Sequence, residues 1–367
     1  MSGSRKEFTV SENRDDLVNN KDQTSFVDLP KDMVRLVGCF IPADTDKDKY
    51  ARLCKQANNF FQSDLDKRAV EKLLHHVAYG EKDQAEKMLK SNPKLLLGIS
   101  TITDEAGRTI YGTAYQIALG AKDVSPFPKV EEMAEMLECY LLQLPNGEKE
   151  REKQYNEQFP EGFEKQEEAR RMSDSFELNK VFAAIKKDKT TGLAEAKKAV
   201  AEFQNYLENQ IKGVITTGYH FNEALFEEAL KLYDKHFDDF GGFDSDKNTL
   251  AAIKLIGFIE RFFPANLAQA MCDDIGRVVD EKKMLTRGKV LDDKKTPFFN
   301  PNLGVSHYVY TYGVAGLVGG CRGARVTVCC AGQLSKLMSS KNNNLIKRQT
   351  IVTKREEPKK QSSCVIQ

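Results

Sequence analysis

Tryptophan is absent from this chain of 367 residues, and histidine is scarce, with 5. An excess of charge of one sign is missing too: 55 Lys and Arg stand against 54 Asp and Glu, a formal net charge of +1. That near-balance leaves no electrostatic footprint for nucleic acid, and no nucleic-acid partner is expected. No apolar run reaches the ~18 residues of a transmembrane helix, so any membrane contact is expected through an anchor. The 8 cysteines are scattered, Cys39, Cys54, Cys139 and Cys272 among them, and none stands in paired Cys-x-x-Cys spacing. This argues against structural zinc, and neither a metal nor a cofactor is expected. The N-terminus is polar and reads as having no signal peptide, which places the thiols, free, in a reducing cytosol. What remains is ordinary for a helix-rich soluble protein, 40% hydrophobic and 30% charged, with length for two or three domains.

What is there begins at the end. Cys364-Val365-Ile366-Gln367 is a Cys, two aliphatic residues and a Gln, the pattern read by prenyltransferases, and the Gln points to farnesyl. Cys364 is therefore the expected lipidation site, with a host prenyltransferase as partner. One prenyl chain anchors only marginally and needs a second signal. Basic residues upstream supply it: Lys341, Lys347, Arg348, Lys354, Arg355, Lys359 and Lys360, against Glu356 and Glu357. Residues 341–367 are read as a disordered basic tail whose Lys347, Arg348, Lys354, Arg355, Lys359 and Lys360 meet anionic lipid.

The fold class expected is mainly α. Residues 1–24 are polar and read as disordered. Residues 25–66 carry two short helical patterns: Asp28 as a cap, Pro30 in the first turn, Met33, Val34, Leu36, Val37 and Phe40 on one face, then Tyr50, Leu53, Cys54 and Ala57. Residues 67–146 repeat a helix–turn–helix unit. Leu74 to Gly80 leads into Ala85, Met88 and Leu89; after a turn at Asp104-Glu105-Ala106-Gly107, Thr113-Ala114-Tyr115-Gln116 opens the second unit, which Val130 to Leu141 closes. His75 and His76 are adjacent, about 100° apart on a helix, so they do not converge on one metal. Residues 147–175 are charge-dense and read as a charged linker, partly helical and mostly solvated. Residues 176–340 form a third helical region, where Leu225, Phe226, Ala229, Leu232 and Tyr233, then Ile253, Leu255, Ile256 and Ile259, have helical spacing. Its acidic stretch 238–246 lacks the Gly and closing Glu of a calcium loop and reads as a capped turn. Its glycines at 313, 316 and 320 precede no Lys-Ser/Thr, which excludes a phosphate loop and suggests close helix packing. Cys321, with Arg322, Arg325 and His307, is the one candidate nucleophile there.

The residues of 25–66 resemble an F-box. Leu29-Pro30, Asp32, Met33, Val34, Leu36 and Val37 match its first part and Leu53-Cys54-Lys55 its second; the aromatic that often follows is replaced by Ala57 or Asn58. The resemblance implies that Leu29, Pro30, Met33, Val34, Leu36, Val37, Leu53 and Cys54 bind a Skp1-type adaptor of a cullin ubiquitin ligase. Residues 67–146 resemble divergent ankyrin repeats, without the usual Pro and His, and imply a surface that holds a substrate protein. F-box-like start, ankyrin-like repeats and prenylation end together resemble type IV secreted effectors of intracellular bacterial pathogens. That resemblance implies a protein delivered into a host cell, farnesylated there, and acting without catalysis as an adaptor on the cytosolic face of host membranes. The competing expectations are a prenylated ankyrin-like scaffold that does not bind Skp1, and an effector enzyme with its active site in the third region.

Overall fold

The computed structural model describes residues 55–128, 130–173, 177–241, 245–272, 275–282, 284–285 and 326–356. Helix takes 69% of the described residues and strand 4%, so the fold is mainly α. The chain divides into two compact units, Met1–Asp66 and Lys67–Gln367. The F-box-like positions Leu29 to Cys54 lie outside the described residues, as do Cys321, His307 and Cys364.

Helix α1 (Lys55–Ala78) ends where Gly80 takes φ +69°, a conformation that costs glycine little, and α2 (Lys82–Ser91) follows. A 3-10 turn, Pro93–Leu97, leads into a hairpin of β1 (Ser100–Thr103) and β2 (Thr109–Gly112). The turn expected at 104–107 is built by Asp104, whose Oδ1 accepts from the amides of Ala106 and Arg108, each at 3.0 Å, while Gly107 sits at φ +83°. The strands themselves were not expected. They are short, and their threonines and isoleucines carry too few residues for a period to show. Helices α3 (Ala114–Gly120) and α4 (Met133–Leu141) follow, the first opened by a capping box of Thr113 and Gln116.

The stretch expected as a partly helical, mostly solvated linker packs into the core instead. It forms α5 (Gly147–Gln158) and α6 (Phe163–Ser173), and it buries Tyr155, Phe159 and Phe163 in the same core as Leu73, Leu119 and Leu137. The charges mask a four-residue aromatic spacing that carries the packing: Tyr155 lies 5.3 Å from Phe159, and Phe159 lies 5.6 Å edge-on to Phe163, ring to ring.

Then come α7 (Leu178–Lys187), α8 (Ala194–Gln210), β3 (Val214–Ile215) and α9 (Glu223–His236). Strand β3 adds parallel to β2, with Thr109 opposite Val214 and Ile110 opposite Ile215, giving a 3-stranded sheet in the order β1-β2-β3. After a 3-10 turn at Asp238–Phe240, Ser245 rather than an Asp caps α10 (Asp246–Thr249). The helix continues through a π-helical stretch, Leu250–Ile256, into α11 (Gly257–Glu260). Helices α12 (Ala265–Cys272) and α13 (Ile275–Asp280) precede α14 (Val326–Glu356). Phe182, Phe203, Phe226, Leu255 and Ile259 form the centre of a second hydrophobic core.

Helix α14 corrects the expectation of a disordered tail from 341. It belongs to both cores: Leu334, Leu337 and Met338 enter the second, and Leu345 the first. The sequence KNNNLIKR conceals this because a single Leu and a single Ile supply its apolar face. Most of its anchoring is polar, and polar anchoring has no hydrophobic period.

Candidate functional site

The most elaborate cluster of buried charge among the described residues is the seat of α14. The capping box of α4 prepares one side of it. Glu135 Oε2 accepts from the amides of Ser125 (3.0 Å) and Glu132 (3.1 Å), which fixes the carboxylate at the head of the helix. Its other oxygen, Oε1, accepts from Arg348 Nη2 at 2.6 Å. Glu138 lies on the same face three residues on and takes Arg348 Nη1 on one oxygen and Arg151 Nη1, at 3.0 Å, on the other. Arg348 Nη1 also donates to the Tyr115 hydroxyl at 3.2 Å, and its Nε donates to Asn344 Oδ1 at 2.8 Å. Nearby, the Tyr155 hydroxyl donates to the carbonyl of Leu345 at 2.9 Å, and Asn344 Nδ2 to the carbonyl of Ser125 at 2.9 Å.

A second node lies about two turns back along α14, at Lys341. Lys341, 1% exposed, donates to the carbonyl of Lys122 at 2.9 Å, and Asn266 Nδ2 donates to the same oxygen at 2.9 Å. Lys122 itself holds φ +50°, unusual for a residue with a side chain. Its ammonium stands 3.1 Å from Glu223 and 3.7 Å from Glu167, and 4.2 Å above the Tyr219 ring. The left-handed turn turns the carbonyl toward α14 while two carboxylates and an aromatic face hold the side chain, so backbone and side chain of one residue tie four elements together.

Protonation states follow from this surrounding. Burial pushes the Tyr115 phenol up, out of reach of neutral pH. Burial works against the charge on Arg348, but Tyr115, Glu138 and Glu135 outweigh it and hold the guanidinium firmly protonated. The Cys139 thiol, though on the surface, is pushed up by partial burial and by Glu131, Glu138 and Glu135, which makes it a poor nucleophile. The ion pairs and hydrogen bonds of the cluster hold α14 against α4. Among the described residues no group of three His, Cys, Asp or Glu side chains is placed to hold a metal ion, and no helix is long and apolar enough to cross a membrane.

The expected site residues are distributed unevenly over this geometry. Lys347 is exposed on α14. Arg348, expected to face lipid, is turned into the seat with its side chain 11% exposed, because two carboxylates of α4 neutralise it there. Lys354 and Arg355 continue the same helix. Leu29, Pro30, Met33, Val34, Leu36, Val37, Leu53, Cys54, Lys359, Lys360 and Cys364 are outside the described residues. Sequence reasoning missed Lys122, Glu135 and Glu138, and it counted Lys341 in the basic run of the tail, whereas Lys341 is buried against the Lys122 carbonyl. The available signal was paired spacing: Glu135 and Glu138 at i,i+3, and Asn344 and Arg348 at i,i+4, each on one helical face.

No family model matches the chain, and it matches none of the curated proteins and none of the solved structures with which it was compared.

Proposed function

We propose that this protein is a lipid-anchored, non-catalytic adaptor that brings a Skp1–cullin ubiquitin ligase to a substrate protein on the cytosolic face of a host membrane, as a secreted bacterial effector. The observation that carries the anchoring half is the relation of Cys364 to α14. That helix is fastened to the body through Arg348 and Lys341 and ends at Glu356, 8 residues before the cysteine. Those residues span at most about 29 Å when fully extended, so a farnesyl group on Cys364 would hold the body close to the bilayer and not on a long leash. Lys347, Lys354, Arg355, Lys359 and Lys360 remain as the basic complement to anionic lipid, each worth roughly 1 kcal/mol near the surface. Arg348 drops out of that set, since its charge is spent on Glu135 and Glu138. The recruiting half of the proposal rests on the F-box-like residues Leu29-Pro30, Met33, Val34, Leu36, Val37 and Leu53-Cys54, with the helical body of 67–146 or 176–340 as substrate holder.

The test is affinity capture from eukaryotic lysate with the intact chain. Recovery of Skp1 and cullin, lost in a Leu29→Ala, Pro30→Ala, Met33→Ala variant that still folds, is the expected result. A wild-type chain that captures neither protein removes the adaptor reading. Cys364→Ser should move the protein from membranes to the cytosol and leave Skp1 capture intact; a variant that stays on membranes removes the anchor.

A further inference from the structure

We propose that the outer face of α14 is the surface that meets an anionic bilayer, so that the helix lies along the membrane and the body docks side-on. The inference rests on the membrane reading of the C-terminus and adds to it a surface and an orientation. Helix α14 divides its side chains between two faces. Leu334, Leu337, Met338, Lys341 and Leu345 are buried. Gly332, Lys336, Ser339, Asn343 and Lys347 are the exposed positions of residues 332–349, and their spacing of three or four residues sets them in one row along the helix. No hydrophobic side chain stands in that row, so it is not an apolar seam for another helix.

Charge selects the partner. From Val326 to Arg355 the helix carries Lys336, Lys341, Lys347, Arg348, Lys354 and Arg355 and no acidic residue; Glu356 closes it. The body takes up two of these charges: Lys341 donates to the Lys122 carbonyl, and Arg348 is held by Glu135 and Glu138. Lys336 and Lys347 form no ion pair with a carboxylate among the described residues. Lys354 falls in the same row, because its distance along the chain from Lys336 is about five whole helical turns. The row therefore carries three lysines over about 27 Å and runs toward Cys364. Protein–protein interfaces deplete lysine at their centres, so a single file of lysines without an apolar residue fits a protein partner poorly. A bilayer with anionic lipid offers negative charge along the whole length of the row. The same length fixes the orientation. With α14 upright on the membrane, Lys336 would stand about 27 Å above Lys354, several Debye lengths from the lipid, and would contribute nothing. With α14 lying flat, all three lysines contribute alike.

The experiment uses the full chain without its lipid, so that it does not depend on prenylation of Cys364. Co-sedimentation at low salt measures binding to phosphatidylcholine vesicles containing about 30% phosphatidylserine. Lys336→Gln is expected to weaken binding about fivefold, as much as Lys354→Gln does, which is the share of one basic residue near an anionic surface. The absence of Trp supplies a second readout. In Asn343→Trp, a single emitter in the middle of the row is expected to transfer its excitation to a dansyl-labelled lipid. Val214→Trp, on the exposed strand β3, is expected to transfer much less. The proposal is overturned by no binding to the phosphatidylserine vesicles, or by equal binding to phosphatidylcholine alone. It is overturned equally by Lys354→Gln weakening binding while Lys336→Gln does not, which is the upright helix, or by equal transfer from positions 343 and 214. Binding to poly-glutamate without binding to vesicles assigns the row to an acidic protein and overturns it as well. Failure of the lipid anchor shows separately, in the Cys364→Ser test, which none of these measurements uses.

Discussion

The two cores of this protein are made differently. The core around Phe182, Phe203, Phe226 and Ile259 is a matter of volume: Phe226 meets Phe263 edge to face at 4.7 Å, and Phe182 stacks on Phe240 at 6.3 Å. The core around Leu73, Leu119 and Leu137 is crossed by polar ties, including Arg108 to Asp104, Thr113 to Gln154, and Arg348 to Glu135 and Glu138. Close packing rewards any apolar side chain of suitable shape. A buried polar tie rewards only one partner in one geometry, and it penalises every arrangement that leaves a group unpaired. The apolar core should therefore supply more of the stability, and the polar core more of the choice of which segment sits where, α14 above all.

The comparison can be broken in several places. The largest effect is expected for Phe226→Ala, where removing a fully buried ring should cost about 3–5 kcal/mol in urea unfolding. A loss below 1 kcal/mol would mean that the second core is not close-packed at its centre. Next is Arg348→Ala, which takes the shared guanidinium from Glu135 and Glu138, leaving them two backbone amides and Arg151, and should cost about 3 kcal/mol. Its neighbour Lys347→Ala, exposed on the same turn, should stay within about 0.5 kcal/mol. Equal effects at 347 and 348 would remove the seat of α14 as described. A sharper contrast comes from two substitutions of similar size. Gln154→Leu leaves the Thr113 hydroxyl and the Leu96 carbonyl without their partner and should cost about 2 kcal/mol. Leu230→Met in the apolar core should cost less than about 1.5 kcal/mol. The reverse order would undo the division of labour between the cores.

The smallest effect is confined to acid. The Asp188 carboxylate accepts from the Thr190 hydroxyl (2.6 Å), the Thr190 amide (2.8 Å) and the Ala196 amide (3.0 Å), and these hold its pKa down at about 2, against an ordinary 3.8. A depressed carboxylate pKa means that its contribution to stability is present above pH ~3.9 and is lost as pH falls through the folded value of about 2. Asp188→Asn should therefore flatten the stability profile between about pH 4 and pH 2 and leave its shape near neutrality unchanged. An unaltered acid limb in chemical unfolding of that variant would show that the loop bracket at 188–196 contributes nothing.

How much could be read from the chain follows the same division. Helix α9 was legible in Leu225, Phe226, Ala229, Leu232 and Tyr233, and the stretch through Ile253 to Ile259 likewise, because their stabilising contacts are apolar and periodic. The turn at 104–107 was legible in Asp104 and Gly107, because its chemistry is local. The first core was only half legible. Tyr155, Phe159 and Phe163 were hidden among Glu and Lys, and the seat of α14 was hidden because Arg348 and Lys341 look the same in sequence whether they face lipid, water or a carboxylate.

By itself, then, the sequence determined the mainly helical class, the apolar faces and the local turns. Those are properties of single segments, encoded in period, capping and short-range chemistry. Only the tertiary structure decided that residues 147–173 contribute to the core, that α14 bridges two cores, that Lys122 and Lys341 are buried, and that Arg348 is held by two carboxylates. The reason is physical: the free energy of a buried charge depends on which distant group meets it, and that group is chosen by the fold.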